Sequence, residues 1–214
     1  VASLNVIDSV ELLTEKVVAA IREAILSGQI KAGARLSVPE LARQLGVSRT
    51  PAREALIALE RDGLVASRPR YGTVVLEGNS RDLEDLIDMR EGLDGMAARL
   101  AAERMTPEER KELQGLLTRH SVFLGKHPHS MVGSDLKRHV DLDLAFHHCI
   151  HAGSHNSRLT ESLDRIEGQM TVLRNHLSSA PGFAGKAVVL DHTAIVRAIL
   201  AGDVDKAEAA ARAH

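Results

Sequence analysis

Aromatic side chains are scarce in this 214-residue chain: Tyr71, Phe123, Phe146 and Phe183 make up 2% of it, and tryptophan is absent. Proteins that grip single-stranded nucleic acid stack bases on aromatic rings, so that class of function is excluded at the outset. Cysteine occurs once, at Cys149. No disulfide can close within one chain, and a reducing compartment is expected. No apolar run approaches the roughly 20 residues needed to cross a bilayer. The first residues lack the basic, apolar and small-residue order of a secretion signal. These absences predict a cytoplasmic protein with no membrane partner. What is plentiful is apolar surface: 44% of residues are hydrophobic and only 26% charged, which excludes global disorder. The length allows one large domain or two ordinary ones.

The net charge of −2 conceals an asymmetry. Residues 1–75 carry ten Lys/Arg against eight Asp/Glu, whereas the remainder carries 17 against 21. Within 43–70, six arginines (Arg43, Arg49, Arg53, Arg61, Arg68 and Arg70) face only Glu54, Glu60 and Asp62. A local basic stripe of this kind matters more for phosphate binding than the overall balance. Histidine is still more lopsided, since all eleven lie beyond residue 119. The two halves therefore carry different chemistry.

Apolar spacing at Leu13, Val17, Ala20/Ile21 and Ala24/Ile25 predicts a first helix over 10–26, stopped by Gly28. A turn runs from Gly28 to Leu36. Ser37-Val-Pro-Glu40 has the form of a capping box and opens a second helix that carries Leu41 and Leu45 and stops at Gly46. After the short turn Gly46-Val47-Ser48, Ser48 caps a third helix over 49–62, with Pro51 tolerated in its first turn. Two β-type runs then flank Pro69-Arg70-Tyr71-Gly72 as a hairpin, and polar residues 77–80 read as a linker. Beyond them the pattern is helical: 81–105, a Thr106-Pro-Glu-Glu109 start running to Phe123 or Leu124, then 134–152, 157–178, 186–201 and 204–214. Gly125, Pro128, Gly133, Gly153, Pro181, Gly182 and Gly202 punctuate them. The expected fold is mainly α. A winged helix-turn-helix occupies 1–77 and an all-helical antiparallel bundle occupies 78–214.

Two short helices across a glycine turn, followed by a basic hairpin, place the second helix of the pair in the major groove of double-stranded DNA. The residues at its start are Ser48, Arg49, Thr50 and Arg53. Arginine can donate two hydrogen bonds to guanine, hydroxyls suit phosphates or bases, and a helix N-terminus favours phosphate. Arg68, Arg70 and the Gly72 backbone can lie along the adjoining strand. On an ordinary helical protein these arginines would be solvated surface charges. The short helix, the glycine turn and the basic wing together argue otherwise.

The run Ser37-Val-Pro-Glu-Leu-Ala-Arg-Gln-Leu-Gly-Val-Ser-Arg-Thr-Pro-Ala-Arg-Glu-Ala-Leu56, with the wing Arg70-Tyr-Gly-Thr-Val74, resembles the GntR family of bacterial regulators. The resemblance covers about residues 10–76. It implies that Arg49, Thr50 and Arg53 touch operator DNA, with Gly72 at the wing tip. Some relatives have a further basic contact where Pro39 stands, and Arg43, one turn later, is placed to replace it.

In the second half, Asp143 and His147 are four apart on one helix and could chelate one ion. His139/Asp143 and His147/His151 share that spacing, so spacing alone leaves the ligand pair open. With His192 and His214 from later helices, three imidazoles and a carboxylate suit a divalent transition metal. Asp143-Leu-Ala-Phe-His147, Asn156, Asp191-His192 through Asp203, and Ala213-His214 resemble the FCD effector domain of the FadR subfamily. That resemblance, over about 81–214, implies the quartet Asp143, His147, His192 and His214. Zinc is the metal expected in a crystal, with nickel, manganese or iron as alternatives. Met89-Arg-Glu-Gly-Leu93 resembles the start of the same domain, which implies that Arg90 holds a carboxylate effector. Arg174 and Asn156 are further effector candidates. Salt bridges of Arg90 with Glu91 or Asp94, of Arg174 with Glu167 or Asp164, and a capping role for Asn156 are the competing readings. Relatives usually continue past the position of His214, so a longer chain is expected.

The whole reads as a homodimeric transcription regulator, by resemblance a repressor, with no enzymatic activity. A small organic acid is its expected effector and operator DNA its partner. Two other readings stand beside it: the ion is itself the signal, or the site is a metal-dependent hydrolase that activates water.

Overall fold

The computed structural model describes residues 8–127, 131, 133–177 and 185–214. The breaks expected at Pro128 and at Pro181-Gly182 lie outside them. Described residues form two compact units. One takes in the chain through Glu84 plus the stretch from Arg165 to Leu177. The other takes in Asp85–Asp164 plus the stretch from Gly185 to His214.

The first unit contains α1 (Asp8–Leu26), β1 (Arg35–Leu36), α2 (Val38–Leu45), α3 (Arg49–Arg61), β2 (Val65–Arg68) and β3 (Gly72–Val75). One face of α1 supplies Val17, Ile21 and Ile25, four residues apart. They pack on Leu41, Ala55, Leu56, Leu59, Leu64 and Val75. Leu13 and Leu45, which share the apolar spacing, stay outside that core at 41% and 37% exposure. The strands form one antiparallel sheet in the order β1-β3-β2. Arg68 pairs with Gly72 at the hairpin tip and Arg35 with Val74 on the other side. The strand β1, read as part of a turn in the sequence, is a difference. Two residues are too short to show an alternating pattern, and only pairing with β3 makes them a strand.

The capping box expected at Ser37 does not form. Ser37 holds the N-cap position without a side-chain bond. Glu40 instead accepts from Arg43 Nε (3.1 Å), Arg43 Nη2 (2.6 Å) and Gln44 Nε2 (2.7 Å). A charge-assisted fork from Arg43 outcompetes a neutral backbone amide. Ser48 likewise occupies the N-cap of α3 without a side-chain cap bond. Gly46 ends α2 in the left-handed region (φ 66°) and its N–H bonds the Ala42 carbonyl. A Cβ at Gly46 would meet nothing within 4 Å, so the Gly46→Ala cost is purely conformational. We expect about 1–2 kcal/mol lost in urea denaturation, with far-UV circular dichroism unchanged.

Glu60 at the end of α3 ties that helix to the hairpin: its carboxylate accepts from the Ser67 backbone N–H (2.7 Å) and from Ser67 Oγ (3.1 Å). Asp62, buried just beyond the helix, pairs with Arg22 of α1 and with Arg165, 3.4 Å away, while Gln169 donates to its carbonyl at 3.0 Å. With Val172 in the apolar core, these bonds explain why residues from Arg165 onward group with the winged unit.

The second unit is helical: α4 (Ser80–Arg104) from Asp85 onward, α5 (Pro107–Lys126), α6 (Gly133–Gly153), the first part of α7 (Ser157–Leu177), α8 (Gly185–Ala201) and α9 (Val204–Ala213). Asn79 caps α4 by accepting from the N–H groups of Arg81 and Asp82, and Asp82 accepts in return from the Asn79 N–H at 2.7 Å. The box at Thr106 forms as expected, with Glu109 N–H to Thr106 Oγ1 at 3.2 Å and Thr106 N–H to Glu109 at 2.8 Å. Ala97, Ala98, Ala101 and Ala102 make a small-residue stripe on α4. The core around it holds Leu113, Phe146, Ile150, Leu163, Ile195 and Ile199. Arg110 donates to the carbonyls of Met105, Ala102 and Ile199, adding a donor to acceptors near the ends of α4 and α8.

Candidate functional site

The first turn of α3 is turned to solvent. Ser48, Arg49, Thr50 and Arg53 are all exposed, while Pro51, Ala52, Ala55 and Leu56 hold the helix from beneath. This division follows the 3.6-residue period: the buried face takes the small and apolar residues, and the opposite face is left polar. Arg68, Arg70 and Gly72 are exposed on the hairpin, with Arg68 3.8 Å from Glu77. Arg70 and Gly72 both adopt positive φ, 66° and 81°, which the tight tip requires. Arg43 is exposed but bound to Glu40. Arg35 was not singled out in the sequence. It is exposed on β1 and brings its guanidinium to the wing tip, where a Cβ on Gly72 would lie 3.6 Å from its Nε. Only the pairing of β1 with β3 reveals it.

In the second unit, Asp143, His147, His192 and His214 converge from α6, α8 and the end of α9. Nε2 of His192 lies 3.2 Å from Nε2 of His214, which lies 3.4 Å from Nε2 of His147. Asp143 places Oδ1 3.6 Å from His192 and Oδ2 4.0 Å from His147. Donors about 2.0–2.2 Å from one tetrahedral ion stand roughly 3.3–3.6 Å apart, so His147, His192 and His214 fit one divalent metal, with the Asp143 carboxylate at the margin of the set. Burial, with Arg90 nearby, pushes the His147 imidazole down to about 3. Burial and the positive charge His147 would carry push His192 down to about 2. Both rings are therefore neutral at pH 7 and offer a lone pair without first losing a proton. Nδ1 of His214 lies 3.3 Å from Asp191 Oδ2. Donation of that N–H to the carboxylate leaves Nε2 as the acceptor facing the other ligands. The Phe146 ring stacks on His192 at 3.9 Å between centroids and fixes its plane.

Beside this set lies the Arg90–Asp94 ion pair, one of the competing readings of Arg90, joined by a His151 contact that sequence spacing does not reveal. His151 Nε2 is 2.7 Å from Asp94 Oδ1, and Arg90 Nε donates to Asp94 Oδ2 at 2.9 Å. Burial alone would raise the Asp94 carboxyl, but the His151 hydrogen bond and the Arg90 charge hold it down at about 2. Arg90 is thus an ion-pair partner of Asp94, close enough to His147 to disfavour its protonation. Asn156 sits at the N-cap of α7, where Oδ1 accepts from Leu159 N–H at 3.2 Å. Arg174 falls in the first unit, 3.9 Å from Glu167. The lone thiol, Cys149, is raised to about 11 by burial and by Glu112 and Glu109, which leaves it an inert packing group at neutral pH.

No helix among the described residues is long and apolar enough to cross a membrane. Residues 13–75 match the gntR family of bacterial regulatory proteins, and residues 85–214 match the FCD domain. The chain is similar to the HTH-type transcriptional regulator McbR of Escherichia coli, 31% identical over 154 residues, which are 72% of this chain and just under two thirds (66%) of McbR. It is 30% identical over 191 residues, 89% of this chain and 80% of the relative, to a protein of Paenarthrobacter nicotinovorans named "Probable D-xylose utilization operon transcriptional repressor". The solved structure of Escherichia coli McbR superposes with a TM-score of 0.72 at 27% identity, covering 92% of this chain and 91% of that one. With its exposed basic helix turn, its wing and its helical histidine-bearing unit, the chain belongs to the GntR family and carries an FCD domain, which makes it a transcription regulator and not an enzyme.

Proposed function

We propose that the protein is a homodimeric, cytoplasmic repressor whose hold on operator DNA is set by a small carboxylate effector bound at a metal-containing FCD domain. The observation that carries the DNA half is the exposure of Ser48, Arg49, Thr50 and Arg53 together on the first turn of α3. Arg49 and Arg53 read base edges, Ser48 and Thr50 engage phosphate, and Arg35, Arg68, Arg70 and the Gly72 backbone follow the neighbouring strand, with Arg43 at the edge of the footprint. Two copies read the half-sites of a near-palindrome. The name of the Paenarthrobacter relative favours repression over activation.

The effector half rests on the convergence of Asp143, His147, His192 and His214. A divalent ion of the zinc class held by these residues would supply a Lewis-acidic position for a carboxylate oxygen by taking it as a fifth ligand. Arg90 supplies positive charge beside it, at the expense of its pairing with Asp94. Asn156 and Arg174, engaged as a helix cap and an ion pair respectively, are secondary effector candidates. Binding changes DNA affinity only if the effector prefers one arrangement of the dimer, and then DNA weakens the effector by the same factor.

The test uses fluorescence anisotropy with duplex DNA from upstream of the protein's own gene. Expected are sequence-dependent binding that falls steeply with salt, and release on adding one of a panel of sugar acids, dicarboxylates or hydroxy acids to the zinc-loaded protein. Zinc alone changing the affinity, with no acid having any effect, replaces this reading with that of a metal sensor. Binding no tighter than to random duplex sinks the regulator reading altogether.

A further inference from the structure

One residue breaks the division of α3 into a buried apolar face and an exposed polar one. Ile57 is 61% exposed. It comes seven residues after Thr50 and four after Arg53, which at about 3.6 residues per turn puts it on the face that carries both. Ala52, Ala55, Leu56 and Leu59 hold the opposite, buried face. The two acidic side chains of the exposed face are tied to other elements. Glu54 accepts from Thr14 Oγ1 of α1 at 3.0 Å, and Glu60 accepts from Ser67 of β2. Ile57 therefore stands between α1 and the wing, in the middle of the surface that α3 turns outward. There it adds nothing to the core, and a β-branched residue is a poorer helix former than leucine, lysine or glutamate. Single apolar residues scattered over a surface need no explanation, but this one continues the row formed by Arg49 and Arg53.

We propose that Ile57 is a third base-reading residue of α3, packing its branched side chain on the C5-methyl group of a thymine in each half-site. The inference rests on α3 being the reading helix, as proposed above. An aliphatic side chain can neither donate nor accept a hydrogen bond. The thymine methyl is the one apolar feature on the base edges of the major groove. Opposite any other base, Ile57 would take a polar edge out of water without replacing its hydrogen bonds. At a rise of about 1.5 Å per residue, Ile57 lies roughly 6 Å beyond Arg53 along the helix axis. That is about two base-pair steps of 3.4 Å, so the thymine is not the base that Arg53 reads. The contact acts only on a helix that Arg49 and Arg53 have already seated in the groove, because one apolar contact is too weak to hold it there alone.

The test is fluorescence anisotropy of the full chain on the duplex from upstream of its own gene. Each thymine is replaced in turn by deoxyuridine, which removes only the methyl group. For the parent, one thymine in each half-site is expected to weaken binding roughly threefold to tenfold when so replaced. Ile57→Ala weakens binding to the unmodified duplex by a similar factor and is indifferent to deoxyuridine at that thymine. Ile57→Val, which keeps a branched surface, retains most of the sensitivity. The thermal melt of either variant matches the parent, since the side chain is exposed. Three results overturn the contact: Ile57→Ala binding as tightly as the parent, parent and variant losing the same factor at every deoxyuridine, or Ile57→Ala weakening a scrambled duplex equally. In each of these the regulator reading survives if the parent still prefers its own duplex. A parent with no such preference overturns the reading helix, and this contact with it.

Discussion

With no metal ion bound, the protein is expected to lose roughly 5 kcal/mol of folding stability between pH 7 and pH 5. The cause is three buried imidazoles. Burial pushes His120 down to about 4, His147 to about 3 and His192 to about 2, each reinforced by a neighbouring positive group. In the unfolded chain each ring takes up a proton near its ordinary value of 6.5. In the folded chain it refuses one until the pH is far lower. Between those limits the unfolded state binds more protons, so stability falls as pH falls, by about 1.4 kcal/mol per pH unit for each ring. Asp94 does not contribute in this window. Its folded value is lowered from 3.8 to about 2, so the stability it adds is intact above pH 4 and lost only as the pH drops towards 2. Urea denaturation at half-unit pH steps on chelator-treated protein measures the slope. A flat profile from pH 7 to 5 means that these rings are not held neutral in the fold. Zinc-loaded protein should resist the same acidification, because protons must then displace the ion before the site can open.

Replacing Arg49 and Arg53 together with alanine should abolish sequence preference on DNA. Each guanidinium that donates two hydrogen bonds to a base is worth about 1–3 kcal/mol of discrimination, so either single variant weakens specific binding roughly tenfold or more. The double variant should bind the chosen duplex no better than a scrambled one. Both arginines are exposed and the face of α3 that packs is made of Ala52, Ala55, Leu56 and Leu59, so the thermal melt should not move. Arg68→Ala and Arg70→Ala should act differently. They weaken binding to all sequences alike and reduce the slope of log affinity against log salt by about one each. If Arg49→Ala and Arg53→Ala instead leave the ratio of specific to scrambled binding unchanged, α3 is not the reading helix.

How much of this was legible in the chain alone depended on how local each feature is. The helix stop at Gly46, the Thr106 box and the hairpin around Arg70-Tyr71-Gly72 are decided within a few residues, and the structure has them where the spacing placed them. The Ser37 box failed for an equally local reason: Glu40 had a stronger donor one turn ahead in Arg43. The strand at Arg35-Leu36 exists only through β3, some forty residues later, so nothing local announced it. The histidines show the same limit. Four-residue spacing offered three pairs on α6, His139/Asp143, Asp143/His147 and His147/His151. The partners of each, His120, His192 with His214, and Asp94, come from other helices whose packing fixes which ring meets which. No sequence signal marks residue 165 as a boundary either, because α7 continues through it unbroken; the change of unit is made by the tertiary bonds of Asp62.

The double hold of Glu60 on Ser67 gives helix α3 and the wing a common rigid frame. If α3 and the wing bind DNA as proposed, a duplex that engages one is presented to the other at a set distance. Bases under the helix and groove width beneath the wing would then be sampled in a single step, and a sequence that suits only one of them would gain little from the match.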